Sequence, residues 1–345
     1  IMILDYILRR LGLFFFMILM LSVFTFSLAY LFPGDPLSNL SGIPSSNFAQ
    51  HSELEDKYLY NSNYFMQYIA FLGRIFQGDW GLSFASGNSV FSHIVDLLPA
   101  TLELSVYALI VSVVIGVPTG ILGSGYHKRW PDKLINSTTM VGYSMPVFWL
   151  ALLLIMVFSL KLGWFPMSGR MGLLYEIPAS TGFILIDIAL AGFPYKGMAF
   201  VDALRHLTLP TIVLAMYPTT VLVRFTRESM LKVMDQNFIK TARAKGLNRR
   251  QLIMHHALRN ALLPVIKQIG LQFSTLITLA MITEVIFSWP GIGRWLIDSI
   301  YQRDFPAIQG GLMAVSLFVI LASITAELTY TLFDPLSRNQ AHGKV

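Results

Sequence analysis

The chain has 345 residues, of which 54% are hydrophobic and only 13% charged, and its mean hydropathy is +0.60. That balance is too apolar for an ordinary soluble domain and points to a protein of the lipid bilayer. There is no cysteine, so disulfide scaffolds, thiolate metal sites and cysteine nucleophiles are excluded, and the formal net charge of +6 has to be read as membrane orientation before any other use.

A helix needs about 20 apolar residues to cross a hydrocarbon core of about 30 Å. Six stretches qualify: Leu11 to Leu31, Leu98 to Gly123, Leu134 to Leu160, Leu207 to Phe225, Ala261 to Phe287 and Gly310 to Phe333. The first follows Arg9 and Arg10 and runs on without a small-residue cleavage site, so it reads as a retained anchor rather than a signal peptide. Between the first two spans, Tyr64 to Phe76 places Phe65, Ile69, Leu72 and Phe76 at helical spacing, with Gln67 and Arg74 elsewhere on the helix. This pattern suits a helix lying on the bilayer and equally an ordinary packed helix. Gly182 to Phe193 is apolar but only about a dozen residues long and carries Asp187, so it is expected at the membrane surface or re-entrant.

Basic residues orient the spans. With the N-terminus inside, the inner segments hold Arg9, Arg10, Lys128, Arg129, Lys133, a dense group from Arg224 to Arg259, and finally Arg338 and Lys344. The outer segments keep Lys57, Arg74, Lys161, Arg170, Lys196, Arg205, Arg294 and Arg303. The asymmetry favours an all-α membrane protein with six transmembrane helices and both termini inside.

The inner loop between the fourth and fifth spans is patterned as a helix, a sharp turn and a second helix. Asp235 is placed to cap a first helix running to Lys245, Gly246 suits the left-handed residue that closes it, and Asn248 can cap the second, which leads toward Pro264. Phe238, Thr241, Ala242 and Lys245 share one face with a small middle, suited to a partner's groove, while Lys240, Arg243, Arg249 and Arg250 surround it with positive charge. A solvated basic loop obeying the positive-inside rule is the plainer alternative.

This loop, Asn237 to Pro264, resembles the coupling ("EAA") region of bacterial ABC importer permeases, in the form found in the dipeptide/oligopeptide/nickel family. The residues that carry the resemblance are ARAKGL at Ala242 to Leu247, HALRNAL at His256 to Leu262, and Pro264. The general motif opens Glu-Ala-Ala where this chain has Lys240, Thr241 and Ala242, a departure usual in the peptide branch. GDWGLS at Gly78 to Ser83, LPATLEL at Leu98 to Leu104, GVPTG at Gly116 to Gly120 and the run from Thr283 to Gly311 extend the resemblance along almost the whole chain. SMPVFWLALLL and GRMGLLYEIPASTGFILIDIAL look most like the Sap-type branch.

The resemblance implies a type I ABC importer-like permease fold, with an anchor helix over 1–31, a periplasmic region over 32–97, a core permease domain over 98–333 and a cytoplasmic tail over 334–345. It implies a coupling loop over 228–260, in which Asn237, Phe238, Lys240, Thr241, Ala242, Arg243, Lys245 and Gly246 engage an ATPase. It also implies a second homologous permease as heterodimer partner, two cytoplasmic ATPase subunits that bind ATP and magnesium, and an external solute-binding protein. The cargo would be peptides, cationic antimicrobial peptides or a polyamine such as putrescine. The chain itself has no GxxxxGK[ST] loop, so P-loop ATP hydrolysis is not expected of it.

Pathway residues are harder to read. Carboxylates inside a membrane face protein or water, which singles out Glu103, Glu284 and Glu327. Glu284 lies just before a re-entry at Ser288 to Gly293, where Pro290 and Gly291 are further candidates for an outer gate; a structural hydrogen bond to a neighbouring helix is the alternative for each acid. Gly116 and Gly120 form a small-xxx-small pair for close packing, within the subunit or against a partner. A secondary transporter would show inverted halves, which are not evident. An enzyme built on His255 and His256 lacks the i, i+4 spacing of a helical metal pair and an accompanying carboxylate.

Overall fold

The computed structural model describes residues 2–333 apart from residue 193; the tail at 334–345, with Arg338 and Lys344, lies outside the described residues. Among the described residues the chain is helical, with a lone antiparallel bridge between Leu82 and Ser89. Five helices are long and apolar enough to cross a membrane, and a bent helix pair brings the number to six. These match the six predicted stretches one for one.

The third of them departs from expectation. Leu134 to Leu160 reads as one continuous span, but the structure divides it into α6 (Trp130–Ser144) and α7 (Val147–Leu154), the latter running into a π-helical turn at Ile155–Lys161. The two halves meet at 99°. Pro146 is the cause: it stands as the N-cap of α7 with extended backbone, and its ring and missing N–H prevent the α6 ladder from continuing. Pro210 and Pro218, by contrast, lie inside the unbroken α9 (Lys196–Met234). The short apolar segment after Gly182 forms only α8 (Ile184–Leu190), seven residues, too few to cross.

The chain forms two compact units. The first takes residues 1–101, 179–187 and 290–321, and so holds α1 (Met2–Leu31), α2 (Pro36–Ser41), α3 (Phe48–Lys57), α4 (Tyr64–Phe76), the opening of α5 (Val90–Gly125), α13 (Ile292–Gln302) and the first part of α14 (Phe305–Phe333). Its centre is a cluster of Phe26, Ala29, Leu37, Leu40, Phe71 and Met313. Asp35 caps α2 by accepting from the Ser38 amide at 2.8 Å, with Pro36 in the first turn where its missing donor costs nothing. Asp304 is buried and accepts from the amides of Phe84 (3.0 Å) and Ala85 (3.2 Å), from the Ser83 hydroxyl, and from the Ala307 amide at the head of α14.

The second unit takes residues 102–178, 188–289 and 322–345, built around α9, the most enclosed of the long helices. α5 packs on it through Gly116 and Gly120. A Cβ at Gly120 would stand 2.7 Å from the Val223 carbonyl oxygen and 2.7 Å from the Thr226 Cβ, and one at Gly116 2.9 Å from the Leu222 Cβ. The glycine pair therefore serves contact within the subunit. At the foot of the same interface Asp132, 2% exposed, accepts from Arg227 Nε at 2.6 Å and Nη2 at 2.8 Å, and from the Lys128 amide at 2.9 Å. This clamp pins α6 to α9.

Two expectations follow. Gly120→Leu should lower the thermal stability of the purified chain by an overpacking cost of about 1–3 kcal/mol, more than Gly125→Leu, whose added Cβ meets nothing within 4 Å. Asp132→Ala, which leaves Arg227 without its carboxylate, should destabilise by about 3–5 kcal/mol, and the double change with Arg227→Met should recover part of that loss in the same thermal-unfolding measurement.

Candidate functional site

α9 is 39 residues long, about 58 Å at 1.5 Å per residue, nearly twice what the hydrocarbon needs. It delivers the chain directly to the predicted loop. Asp235 closes α9 instead of capping the next helix; Gln236 takes the N-cap position of α10 (Asn237–Ala244) without a side-chain bond. The reason is geometric: the Asp235 amide still donates to Leu231 O, so this residue belongs to the last turn of α9.

α10 is rooted on one side and open on the other. Ile239, fully buried, enters a cluster with Met230, Val233, Leu252, Ala257 and Ala261, and Ala242 packs partly against the same group. Asn237, Phe238, Lys240, Thr241, Arg243 and Lys245 are exposed. The predicted outward face therefore keeps Phe238, Thr241 and Lys245 but loses Ala242, which turns toward Ile239. Lys245 closes the helix, its amide donating to Thr241 O at 3.1 Å, and Gly246 follows at φ +86 with nothing within 4 Å of an added Cβ. Backbone conformation alone, not crowding, is what asks for glycine there.

The second helix starts as read from the sequence. Asn248 Oδ1 accepts from the Gln251 amide at 2.9 Å and Gln251 Oε1 from the Asn248 amide at 3.0 Å, a reciprocal capping box. From there α11 (Arg249–Gln251), a π-helical turn at Leu252–Ala257 and α12 (Leu258–Ile286) run on in succession. Ser229 on α9 donates to Ala261 O at 2.8 Å, tying the two long helices together just above the loop. No group of three or more metal-binding side chains occurs among the described residues, His255 and His256 included.

The acids singled out in the membrane fall into a different arrangement. Glu103 on α5, fully buried, accepts from Arg170 through Nε at 3.0 Å and through Nη2. Arg170 sits in a loop held at three points: the Gly169 amide donates to Phe287 O at 2.8 Å, Arg170 to Glu103, and the Gly172 amide to Asp202 Oδ2 at 2.6 Å. Its guanidinium lies 5.7 Å from the Trp289 ring centroid. Glu284, also fully buried, lies in the last turn of α12, and its carbonyl oxygen accepts from the Trp289 amide at 2.8 Å across a turn in which Ser288 takes φ 50. Pro290 is exposed; Gly291 is buried and is the N-cap of α13, where the Ile292 amide donates to Thr101 Oγ1 at 3.0 Å. Glu327 is half-buried on α14.

Arg170 and Asp202 were not legible as site residues. In the sequence Arg170 is one of the outer positive charges, and its pairing has only an indirect signal: a carboxylate inside the bilayer demands a cation from some other segment.

The family described as "Binding-protein-dependent transport system inner membrane component" matches residues 112–339, and its N-terminal companion matches residues 3–105. The di/tripeptide transport system permease protein DppB of Pseudomonas aeruginosa is 41% identical over 98% of this chain and 99% of its own length. The peptide transport system permease protein SapB of Salmonella typhimurium and the putrescine export system permease protein SapB of Escherichia coli K12 are each 40% identical over 87% of this chain and 92% of theirs. Among solved structures, a chain of the MetNI methionine ABC transporter in an inward-facing form aligns at 15% identity with a TM-score of 0.49, over 68% of this chain and 92% of that one. With both family regions matched in order and relatives of about 40% identity along nearly its full length, the chain belongs to the binding-protein-dependent transport system inner membrane components.

Proposed function

We propose that this chain forms one half of a peptide pathway in an ATP-driven transporter, beside a second homologous permease, and that two cytoplasmic ATPase subunits drive it through α10. The observation that carries the reading is α10 itself, anchored by Ile239 yet open along Phe238, Thr241 and Lys245. A short helix with one buried anchor and a basic, unsheathed remainder is shaped to seat in an acidic-rimmed groove and to return the motion to the helices it is rooted in. The orientation that puts α10 in the cytosol is N-in, C-in. An external solute-binding protein would deliver cargo to the opposite side.

At that opposite side the Arg170–Glu103 pair, with Trp289 beside the guanidinium and Glu284 in the last turn of α12, serves as the outer gate in this reading. Arg170 keeps 18% of its side chain exposed, whereas Glu103 keeps none, so of the two Arg170 is the member an arriving carboxylate such as a peptide C-terminus would meet. Peptide cargo rests on the names of the di/tripeptide and peptide relatives, and putrescine on the Escherichia coli relative.

The test is a reconstituted complex in proteoliposomes, with ATP hydrolysis and uptake measured side by side for dipeptides, a cationic peptide and putrescine. Stimulation by dipeptides with ATP-dependent uptake is expected; solute movement by the isolated chain without nucleotide would defeat the proposal. In the same assay Gly246→Val should cost on the order of 1 kcal/mol in local conformation and leave ATP hydrolysis running without transport, with membrane insertion intact. Gly246→Asn, which tolerates the left-handed region, should retain more coupling. Arg170→Gln should impair uptake of carboxylate-bearing cargo more than of putrescine, and pairing it with Glu103→Gln should restore thermal stability without restoring that uptake.

A further inference from the structure

α4 is inside out. Its buried residues are Gln67, Phe71 and Arg74, while Tyr64 is 72% exposed, Phe65 67%, Ile69 47% and Phe76 87%. Only one charged side chain occurs in the helix, and it points inward: Arg74 lies with Cζ 3.2 Å from the Tyr58 ring centroid and Nη1 3.9 Å from Asp79. Gln67 donates to the Tyr60 and Ser62 carbonyls and accepts from the Tyr30 hydroxyl. A helix bathed in water would turn these two polar side chains outward and Phe65 and Phe76 inward.

The level of α4 is fixed by its partner. The rings of Tyr64 and Tyr30 meet at 5.4 Å, those of Tyr68 and Phe26 at 5.6 Å, those of Phe71 and Phe26 at 5.5 Å, and Tyr68 Oη lies 2.7 Å from Ser22 Oγ. α4 thus runs antiparallel to α1 between Tyr30 and Ser22. Ser22 lies about 13 Å below Leu31 at the rise of an α-helix, close to half the thickness of a hydrocarbon core. The whole contact falls within the apolar span Leu11–Leu31, whose own outward side shows Val23, Phe24 and Met20.

From this geometry we infer that α4 lies in the lipid leaflet at the Leu31 end of α1, with Phe65, Ile69 and Phe76 against acyl chains, continuing the lipid-facing side of the anchor helix. Lipid hydrocarbon is the occupant because Phe65, Met66, Ile69 and Phe76 form an exposed apolar face on a helix packed against the apolar span of α1, whose own exposed side is Met20 and Phe24. The sequence leaves a bilayer-lying and an ordinary packed helix equally open; the inward turn of Gln67 and Arg74 decides between them.

The chain has no cysteine of its own, which makes the test direct. Single variants Phe65→Cys, Ile69→Cys and Phe76→Cys carry a nitroxide in the full chain, assembled with cysteine-free forms of its co-purifying subunits and reconstituted into vesicles of phosphatidylethanolamine and phosphatidylglycerol. Phe24→Cys on α1 is the lipid reference and Asn88→Cys, in an exposed loop, the water reference. Collision rates with oxygen and with a water-soluble nickel chelate are then compared. High oxygen and low nickel accessibility at positions 65 and 69, ordered as in the Phe24→Cys reference, is the expected result. Nickel accessibility like that of Asn88→Cys would place the face in water, and low accessibility to both with an immobilised spectrum would place a protein subunit there; either overturns the inference.

Discussion

Hydrocarbon offers no hydrogen-bond partner, so each carboxylate drawn into this protein has to be answered by donors from the chain itself. Four acids show how that requirement shapes the structure. Asp304 gathers the loop at 83–85 to the head of α14, Asp187 holds the Thr181 and Gly182 amides at the start of α8, Asp132 clamps Arg227, and Glu103 holds Arg170. Each joins segments far apart in sequence or fixes the entry to a helix. Removing the donor leaves a buried charge, which costs far more than the pair contributes when intact, so these contacts specify arrangement more than they add stability.

Within the second unit these ties lie along one rod. α9 carries Asp202 near its first turns, where it holds the Gly172 amide, then the Gly120 contact and the Arg227 clamp, and ends one residue before the cap of α10. Pro210 and Pro218 do not break it. A displacement imposed at α10 therefore reaches the 169–172 loop through a continuous helix and packed contacts, not through a chain of flexible links. Packed elements of this kind move as bodies between discrete arrangements, which is what a pathway opened alternately to two sides requires.

The sequence discloses the spans, the helix–turn–helix of the loop and the Asn248 cap because each follows from local rules: apolar length, a glycine stop and a capping residue. It misses what depends on tertiary partners. The bend at Pro146 was visible only as a proline, and whether such a residue bends a span or is absorbed, as at Pro218, is set by the neighbours. Asp235 reads as a cap by residue type, yet α9 continues about two and a half turns past its apolar stretch and claims it. GDWGLS and the run ending in Gly311 are legible as markers of a family; their physical reason, Ser83 against Asp304 and Gly310 beneath Trp80 and Val90, appears only in three dimensions.

Cargo is where the legible part ends, and the reason lies in how the residues are used. Relatives named for di/tripeptides, for peptides and for putrescine stand at nearly the same identity to this chain, 40 to 41%. The glycines, caps and buried pairs of this chain serve close helix approach, helix ends and charge neutralisation, demands that any solute moved by this scaffold would impose equally. Selectivity must then reside in a small number of side chains that touch both the protein and the passing solute. In the proposed function Arg170 is the candidate, since it is held by the buried Glu103 and keeps 18% of its side chain exposed; drawing it off Glu103 would leave that carboxylate unanswered, so a solute carboxylate would have to share the guanidinium with Glu103 rather than replace it.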